Sequence, residues 1–219
     1  MTTILFIADL FSNLTFNGGV EIFGTLIGLV YLYLQYKASP WFFTVAIINA
    51  IPFVYLYLMK GNYASALLFS YYGYVGLHAI ISGTTGKGES SFTIGRLPRQ
   101  LYPRLVAIFL ALWGAIYFVL VNITTIVNTI SEAIGTNLPV SEPLLPAADA
   151  FVTAASFVSM WILSKKYIEN WVIWVVVNAV FVYLQIVSGL YTWGALFTIY
   201  MFVAVMGYFN WRKLMLKQS

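Results

Sequence analysis

Long apolar runs separated by short polar breaks fill the chain. A helix that crosses a bilayer needs about 20 mainly apolar residues. Seven segments reach or approach that length: 18–36, 40–59, 62–82, 101–127, 147–164, 170–188 and 191–211. Lys37-Ala38-Ser39-Pro40 and Lys60-Gly61-Asn62 read as tight turns between them. Residues 83–100 read as a flexible basic loop. Residues 128–146, with Glu132, Glu142 and three prolines, read as a connection without positive charge. Lys165, Lys166 and Glu169 divide the fifth run from the sixth. The pattern predicts an all-α membrane protein with seven transmembrane helices, forming a single transmembrane domain over 1–219.

Charge placement adds an orientation. With the N-terminus outside, Lys37, Lys87, Arg96, Arg99, Arg104, Lys165, Lys166, Arg212, Lys213 and Lys217 all fall on the cytoplasmic side, and Lys60 alone falls outside. Basic residues gather on the cytoplasmic side of membrane proteins, so the expected topology is N-out and C-in. The competing arrangement has six spans, one apolar segment lying on the membrane, and the C-terminal basic cluster outside. No basic residue precedes Lys37, so the charged head of a cleavable signal peptide is not expected.

Composition agrees with a membrane chain and excludes other classes. Apolar residues make up 61% and charged residues 8%, against roughly 45–50% and about 25% in soluble domains. So few charges cannot cover a water-soluble enzyme, and so much hydrophobicity excludes disorder. The chain has no cysteine, hence no disulfide framework and no thiolate chemistry. A net charge of +4 reflects the basic cytoplasmic loops rather than a nucleic-acid footprint.

The first and last thirds echo one another. Glu21-Ile-Phe-Gly-Thr25-Leu-Ile-Gly28 matches Asp149-Ala-Phe-Val-Thr153-Ala-Ala-Ser156 in its carboxylate, its threonine and its small residue. Asn49-Ala-Ile-Pro-Phe-Val-Tyr-Leu matches Asn178-Ala-Val-Phe-Val-Tyr-Leu once Pro52 is dropped. Each copy runs into a Gly-x-Tyr turn, Gly61-Asn-Tyr63 and Gly189-Leu-Tyr191. The expected plan is 3+1+3: repeat 1 over about 18–82, a linking helix over about 101–127, and repeat 2 over about 147–211. An odd linking span leaves the repeats parallel, an architecture that places a transport site at the repeat interface near midplane.

Candidate chemistry concentrates in the sixth span. At 100° per residue, Trp171, Trp174, Asn178 and Gln185 fall within about 60° of arc. Two indoles and two carboxamides on one face suit a slot with aromatic walls and polar readers, and Asn49 supplies the matching carboxamide in the first repeat. The alternative is interfacial anchoring by tryptophan and helix–helix hydrogen bonding by asparagine, worth about 1 kcal/mol. Glu21, Thr25, Gly28 and Gln35 form a second, weaker stripe within about 80°, with headgroup solvation as the alternative for Gln35. His78 reads as a hydrogen-bonded packing residue. No Asp, Glu, Lys or Arg lies deep in a proposed span. That argues against proton or ion coupling and for facilitated movement. No metal-ligand spacing, phosphate loop or nucleophile motif occurs, so no cofactor, no metal and no catalytic role are expected.

The string Lys165-Lys-Tyr-Ile-Glu-Asn-Trp171-Val-Ile-Trp174-Val-Val-Val-Asn178 resembles the signature of the PnuC family of bacterial vitamin transporters. The likeness continues through Gly189-Leu-Tyr191, Gly207-Tyr208-Phe-Asn-Trp211, Glu21-Ile-Phe-Gly-Thr25, Ile48-Asn49 and Gly61-Asn-Tyr63. The resemblance implies a full-length SWEET-like fold of seven spans, a homotrimer, and inner-membrane uptake of nicotinamide riboside by facilitated diffusion, with trapping by downstream phosphorylation that feeds NAD biosynthesis. It implies Trp171, Trp174 and Asn178 as the core of the substrate site, Asn49 opposite, and Gln35 as a further contact. Two departures stand out: Trp41-Phe-Phe-Thr where the family often has Trp-Asn-Trp-Pro, and Tyr72-Gly-Tyr74-Val-Gly-Leu-His78 where it often has Tyr-Gly-Trp-Tyr-x-Trp. They leave open thiamine or another vitamin or nucleoside as cargo, and a substrate-binding subunit of an ATP-driven transporter remains the reading from another class. A pyridinium ring is flat and cationic, so indole faces attract it by roughly 0.5–2 kcal/mol, and a carboxamide can pair with its amide or sugar hydroxyls.

Overall fold

The computed structural model describes residues 16–82, 93–189 and 191–218, with the side chains of residues 16–18, 21, 192 and 193 left out. The expected glycine-rich loop with Lys87, and the side chain of Glu21, therefore lie outside the described part. The described residues form eight α-helices in chain order: α1 Phe16–Tyr36, α2 Phe42–Met59, α3 Tyr63–Ile81, α4 Tyr102–Val121, α5 Ile123–Ile134, α6 Pro146–Ser164, α7 Asn170–Val187 and α8 Tyr191–Leu216. A 3-10 turn, Arg99–Leu101, leads into α4. Helices α2, α3, α4, α6, α7 and α8 are long and apolar enough to cross a membrane. Helix α1 has 21 residues, about 31 Å at 1.5 Å per residue.

Asparagine and glycine punctuate these helices. At the end of α4 the Asn122 side chain donates to Phe118 O at 2.8 Å, alongside the backbone N–H of Asn122 at 3.3 Å. The expected linking helix over 101–127 therefore stops at Val121, and a second helix, α5, begins at Ile123. Within 128–146, which the sequence suggested as loop, α5 continues to Ile134. Its inward residues Ile123, Val127 and Ser131 recur at helical spacing, a short amphipathic pattern that Glu132 and the prolines after it obscure. Gly135, at φ 68°, ends it with a left-handed cap.

Packing joins the helices into a closed circuit. Neighbouring contacts run α1–α2, α2–α3, α3–α6, α6–α7, α7–α8 and back from α8 to α1, while α4 lies outside against α6. Small residues on α6, among them Ala150, Ala154, Ala155 and Ser159, are buried and let its neighbours approach closely. Side chains also meet across the circuit. The Tyr72 ring on α3 stands edge-on to Trp174 on α7, with centroids 6.3 Å apart, and the Tyr31 hydroxyl on α1 lies 3.8 Å from the sulfur of Met160 on α6.

The two trios α1–α3 and α6–α8 are laid out alike. Tyr36 and Ser164 end their first helices, Phe42 and Asn170 begin the second, Met59 and Val187 end it, and Tyr63 and Tyr191 begin the third. The interval is the same in every pair. Left-handed residues keep that interval too: Ala38 at φ 54° matches Lys166 at 60°, and Gly61 at 69° matches Gly189 at 73°. This register sets Asn49 opposite Val177, one position short of Asn178. The pairing obtained by dropping Pro52 is thus offset by one residue, because α2 keeps Pro52 inside an unbroken helix.

The bundle has two unlike ends. At the lower end, where α1, α3, α6 and α8 finish, Ile94 belongs to a buried cluster with Phe42, Phe43, Val75, Ala79, Met160, Leu163, Ile168, Trp171, Ala204 and Trp211. The extended segment carrying Ile94 is strapped to the α6–α7 turn. Gly95 N donates to Lys166 O at 3.1 Å and its carbonyl accepts from Ile168 N at 3.0 Å. Leu97 N donates to Glu169 Oε2 at 2.9 Å. Partial burial there holds the Lys166 ammonium below the usual lysine range. At the upper end, the connection after α5 lies on the α2–α3 turn. Tyr63 donates its phenol proton to Pro139 O at 2.7 Å, and Ser141 N donates to Gly61 O at 3.1 Å.

Gly61 is indispensable to that upper contact. A Cβ on it would sit 2.5 Å from the Pro139 carbonyl carbon, and its φ is +69°. Gly61→Ala is expected to cost about 2–3 kcal/mol, combining backbone strain with a clash against main chain. Gly135→Ala keeps a left-handed φ but has nothing within 4 Å, so it should cost only about 1 kcal/mol. Thermal unfolding of the two variants in detergent checks the ranking.

Candidate functional site

Helix level decides which of the predicted residues can meet. Asn49 lies near the middle of α2, Asn178 near the middle of α7, Tyr72 near the middle of α3, and Ser156 near the middle of α6. Each stands about 10–14 Å above the lower end at 1.5 Å per residue. Trp174 sits one turn below Asn178, on the same inward face.

These mid-level residues are buried and uncharged. Asn49 is 9%, Asn178 7% and Ser156 1% exposed. Asn178 donates its amide N–H to Trp174 O at 2.8 Å, a bond within its own helix. Asn49 faces Gly28 of α1, where a Cβ would lie 3.7 Å from the Asn49 amide. With no side chain at Gly28, α1 packs directly over that amide without bonding to it. Asn49 Oδ1, Ser156 Oγ and the indole N–H groups of Trp171 and Trp174 are buried without a hydrogen-bond partner. The Tyr72 phenol approaches Ser156 but does not meet the geometry of a hydrogen bond. Leaving a buried polar atom unpaired costs about 1–3 kcal/mol; Asn49 and Ser156 carry theirs at this level, Trp174 one turn below and Trp171 at the lower end.

The remaining predicted residues lie apart from this level. Gln35, 2% exposed, closes the lower end. Its Nε2 donates to Asn170 Oδ1 at 3.3 Å, and its carbonyl accepts from Trp211 Nε1 at 2.9 Å. Asn170 in turn donates to Tyr167 O at 2.6 Å and accepts at its carbonyl from Ser159 Oγ at 3.2 Å. Trp171 stands two turns below Asn178, edge-on to Trp211 with centroids 5.6 Å apart. A Cβ on Gly207 would meet three of its ring atoms at 2.7 Å, so its indole is wedged against the α8 backbone. Gln185 lies on α7 about 10 Å above Asn178, where its Cβ approaches the Gly194 position of α8. His78 is exposed beside Tyr74 rather than packed inside, because it belongs to the last turn of α3.

Sequence reasoning passed over Ser156, Tyr72 and Asn170. For Ser156 the signal was present, since it occupies the position of Gly28 in the second copy. A separate shallow pocket of about 280 Å³, lined by Trp113, Ala147, Ala148, Phe151 and Val180, is entirely apolar at its walls and lies between α4 and α6, away from these polar atoms. Among the described residues no group of His, Asp and Glu is placed to hold a metal ion.

Comparison with known proteins identifies the family. A family model described as nicotinamide mononucleotide transporter matches residues 18–213. The chain belongs to that family, the PnuC family. It is 27% identical over 204 residues to the nicotinamide riboside transporter PnuC of Escherichia coli strain K12, covering 88% of this chain and 84% of that protein. The PnuC of Shigella flexneri matches to the same extent. A crystal structure of the vitamin B3 transporter PnuC superposes with a TM-score of 0.66 at 18% identity, over 99% of this chain and 89% of the other. The protein is therefore a multi-pass inner-membrane protein of a vitamin-transporter family, with the fold of PnuC.

The lower-end cluster yields a stability test. Gln35→Leu removes the bond to Asn170 and orphans its carboxamide oxygen inside the bundle. The expected loss is about 1–3 kcal/mol, read as a lower melting temperature of the purified protein. An unchanged melting temperature would show that the Gln35–Asn170 pair holds nothing together.

Proposed function

We propose that this protein is a uniporter that brings nicotinamide riboside into the cell by facilitated diffusion, with downstream phosphorylation trapping the cargo. The observation that supports this reading is the uncharged character of the mid-level residues: Asn49 and Asn178 are buried there, and Asn49 Oδ1 and the Trp174 indole N–H have no hydrogen-bond partner. Trp171 floors the slot, and Gln35 and Gln185 lie at its lower and upper limits.

The chemistry favours a cationic aromatic over a phosphorylated one. The family description names the mononucleotide, whereas the PnuC relatives are named for the riboside. A phosphate calls for arginine or lysine donors. Among the described residues every basic side chain lies at a helix end or beyond it. The indole face suits a pyridinium by cation–π attraction, and the absence of a counter-charge lets the ring leave again.

The architecture we infer is seven spans, with α1 as the first, in two parallel repeats joined by α4. Equal helix boundaries, equally placed left-handed residues and a contact circuit unchanged when α1–α3 exchange with α6–α8 support it. That is the 3+1+3, SWEET-like plan. Among the described basic residues all but Lys60 gather at the lower end, which supports N-out and C-in with that end cytoplasmic. The homotrimer is carried into this reading from the family; Val106, Leu110 and Phe118 leave α4 an exposed apolar face for lipid or a neighbouring subunit.

Proteoliposomes test the proposal. Labelled nicotinamide riboside should equilibrate across the bilayer without an ion gradient, and excess mononucleotide should not compete. Trp174→Ala should weaken riboside affinity about tenfold, the value of a desolvated cation–π contact. Uptake that collapses when the proton or sodium gradient is removed would exclude uniport, and competition by the mononucleotide would reverse the substrate assignment.

A further inference from the structure

Hydroxyl groups inside apolar helix bundles ordinarily bond to the carbonyl one turn back in their own helix. This protein follows that habit. Ser70 donates to Ala66 O at 2.8 Å, Thr129 to Thr125 O at 2.9 Å, Thr153 to Asp149 O at 2.8 Å and Thr198 to Gly194 O at 2.9 Å. The buried Ser159 reaches the Asn170 carbonyl instead, at 3.2 Å. Ser156 departs from both patterns. At 1% exposure its Oγ makes no bond to the Val152 carbonyl or to any other group.

Three further facts bear on that departure. Ser156 lies at the level of Asn49 and Asn178, near the middle of their helices. Asn49 Oδ1, an acceptor, is also unpaired. Counted along the two alike helix trios, Ser156 corresponds to Gly28, the residue packed against the Asn49 amide. The two halves thus carry different unpaired polar atoms at this level: an amide oxygen in the first and a hydroxyl in the second. A symmetric interior would accept a ligand either way round, whereas this one distinguishes its two ends.

We infer that Ser156 is a ligand-contacting, specificity-determining residue, whose hydroxyl pairs with a polar edge of the cargo and, with Asn49, fixes which way round the flat ring lies. The inference rests on the transport reading above and adds a residue to its site. The partner on the cargo is a group that can both donate and accept, a carboxamide or a sugar hydroxyl.

Ser156→Ala tests this by isothermal titration and thermal unfolding of the purified protein, with nicotinamide riboside and nicotinamide as probes. Riboside affinity should fall about tenfold, the value of one hydrogen bond inside a site closed to water. The melting temperature without ligand should hold or rise, because the substitution removes an unpaired buried atom. A merely structural role would move the second reading and spare the first. Weakening with both probes assigns the carboxamide as partner, and weakening with the riboside alone assigns the sugar; either outcome supports the inference. Thr153→Ala, whose hydroxyl is already bonded to Asp149 O, should leave riboside affinity unchanged. Ser156→Ala binding the riboside like the parent, while Trp174→Ala binds it more weakly, overturns the role of Ser156 and leaves the transport reading standing. A parent protein that binds no riboside overturns both.

Discussion

Hydrocarbon offers a polar atom no partner, so every hydrogen-bonding group carried into the bundle must be answered from within it. That constraint explains most of the interior. Helices consume the backbone groups, and threonine and serine turn back on their own carbonyls. Gln35, Asn170 and Ser159 settle one another at the lower end. Against so complete a pairing, four unpaired atoms in Asn49, Ser156, Trp171 and Trp174 are an exception that needs a cause. A transported molecule is one, since a site that bonded fully to itself would have nothing to give its cargo.

The family string at the start of α7 divides between two jobs. Lys166, Ile168 and Glu169 hold the segment from Ile94 to Leu97 against the lower end. Asn170 anchors Gln35, and Trp171 is wedged by Gly207. Only Trp174 and Asn178 reach mid-level. A run that reads as one recognition motif is thus largely a clasp, and its last two members are the ones left facing the interior. The clasp still serves the site, because it fixes the rotation of α7 and with it the direction in which Trp174 points.

Much of the fold was legible because hydrophobic length is a strong signal: apart from the linking segment, each expected segment appears as a helix within a few residues of its bounds, and six helices are long and apolar enough to cross a membrane. The linking segment was not, since Asn122 ends α4 through a side-chain bond that composition does not register. The short helix α5 behind it was masked by Glu132 and nearby prolines. At the site, periodicity placed Trp171, Trp174 and Asn178 on one inward face, but a face is not a level. Gln35 and Gln185 share the right arcs and stand at the wrong heights. Asn49 was matched to Asn178 by string similarity, and the helix boundaries show that the two are one position out of step. Ser156 was read only as the small residue matching Gly28, because a serine among alanines reads as a packing residue until its missing bond is seen.

The offset between the halves has a physical use on the proposed reading. Identical repeats would build a site with two equivalent orientations, doubling the ways an asymmetric ring could sit and loosening each. Gly28 against Ser156, and Asn49 a step short of Asn178, break that equivalence without adding charge. Breaking it with a carboxylate would have held a cationic ring more tightly, at the expense of its release toward the cytoplasm. A hydroxyl and a carboxamide orient the cargo through bonds that water can replace on either side, so the occupied state is selective without being a trap. For a carrier that draws no energy from an ion gradient, that balance decides whether binding leads to transport or to arrest.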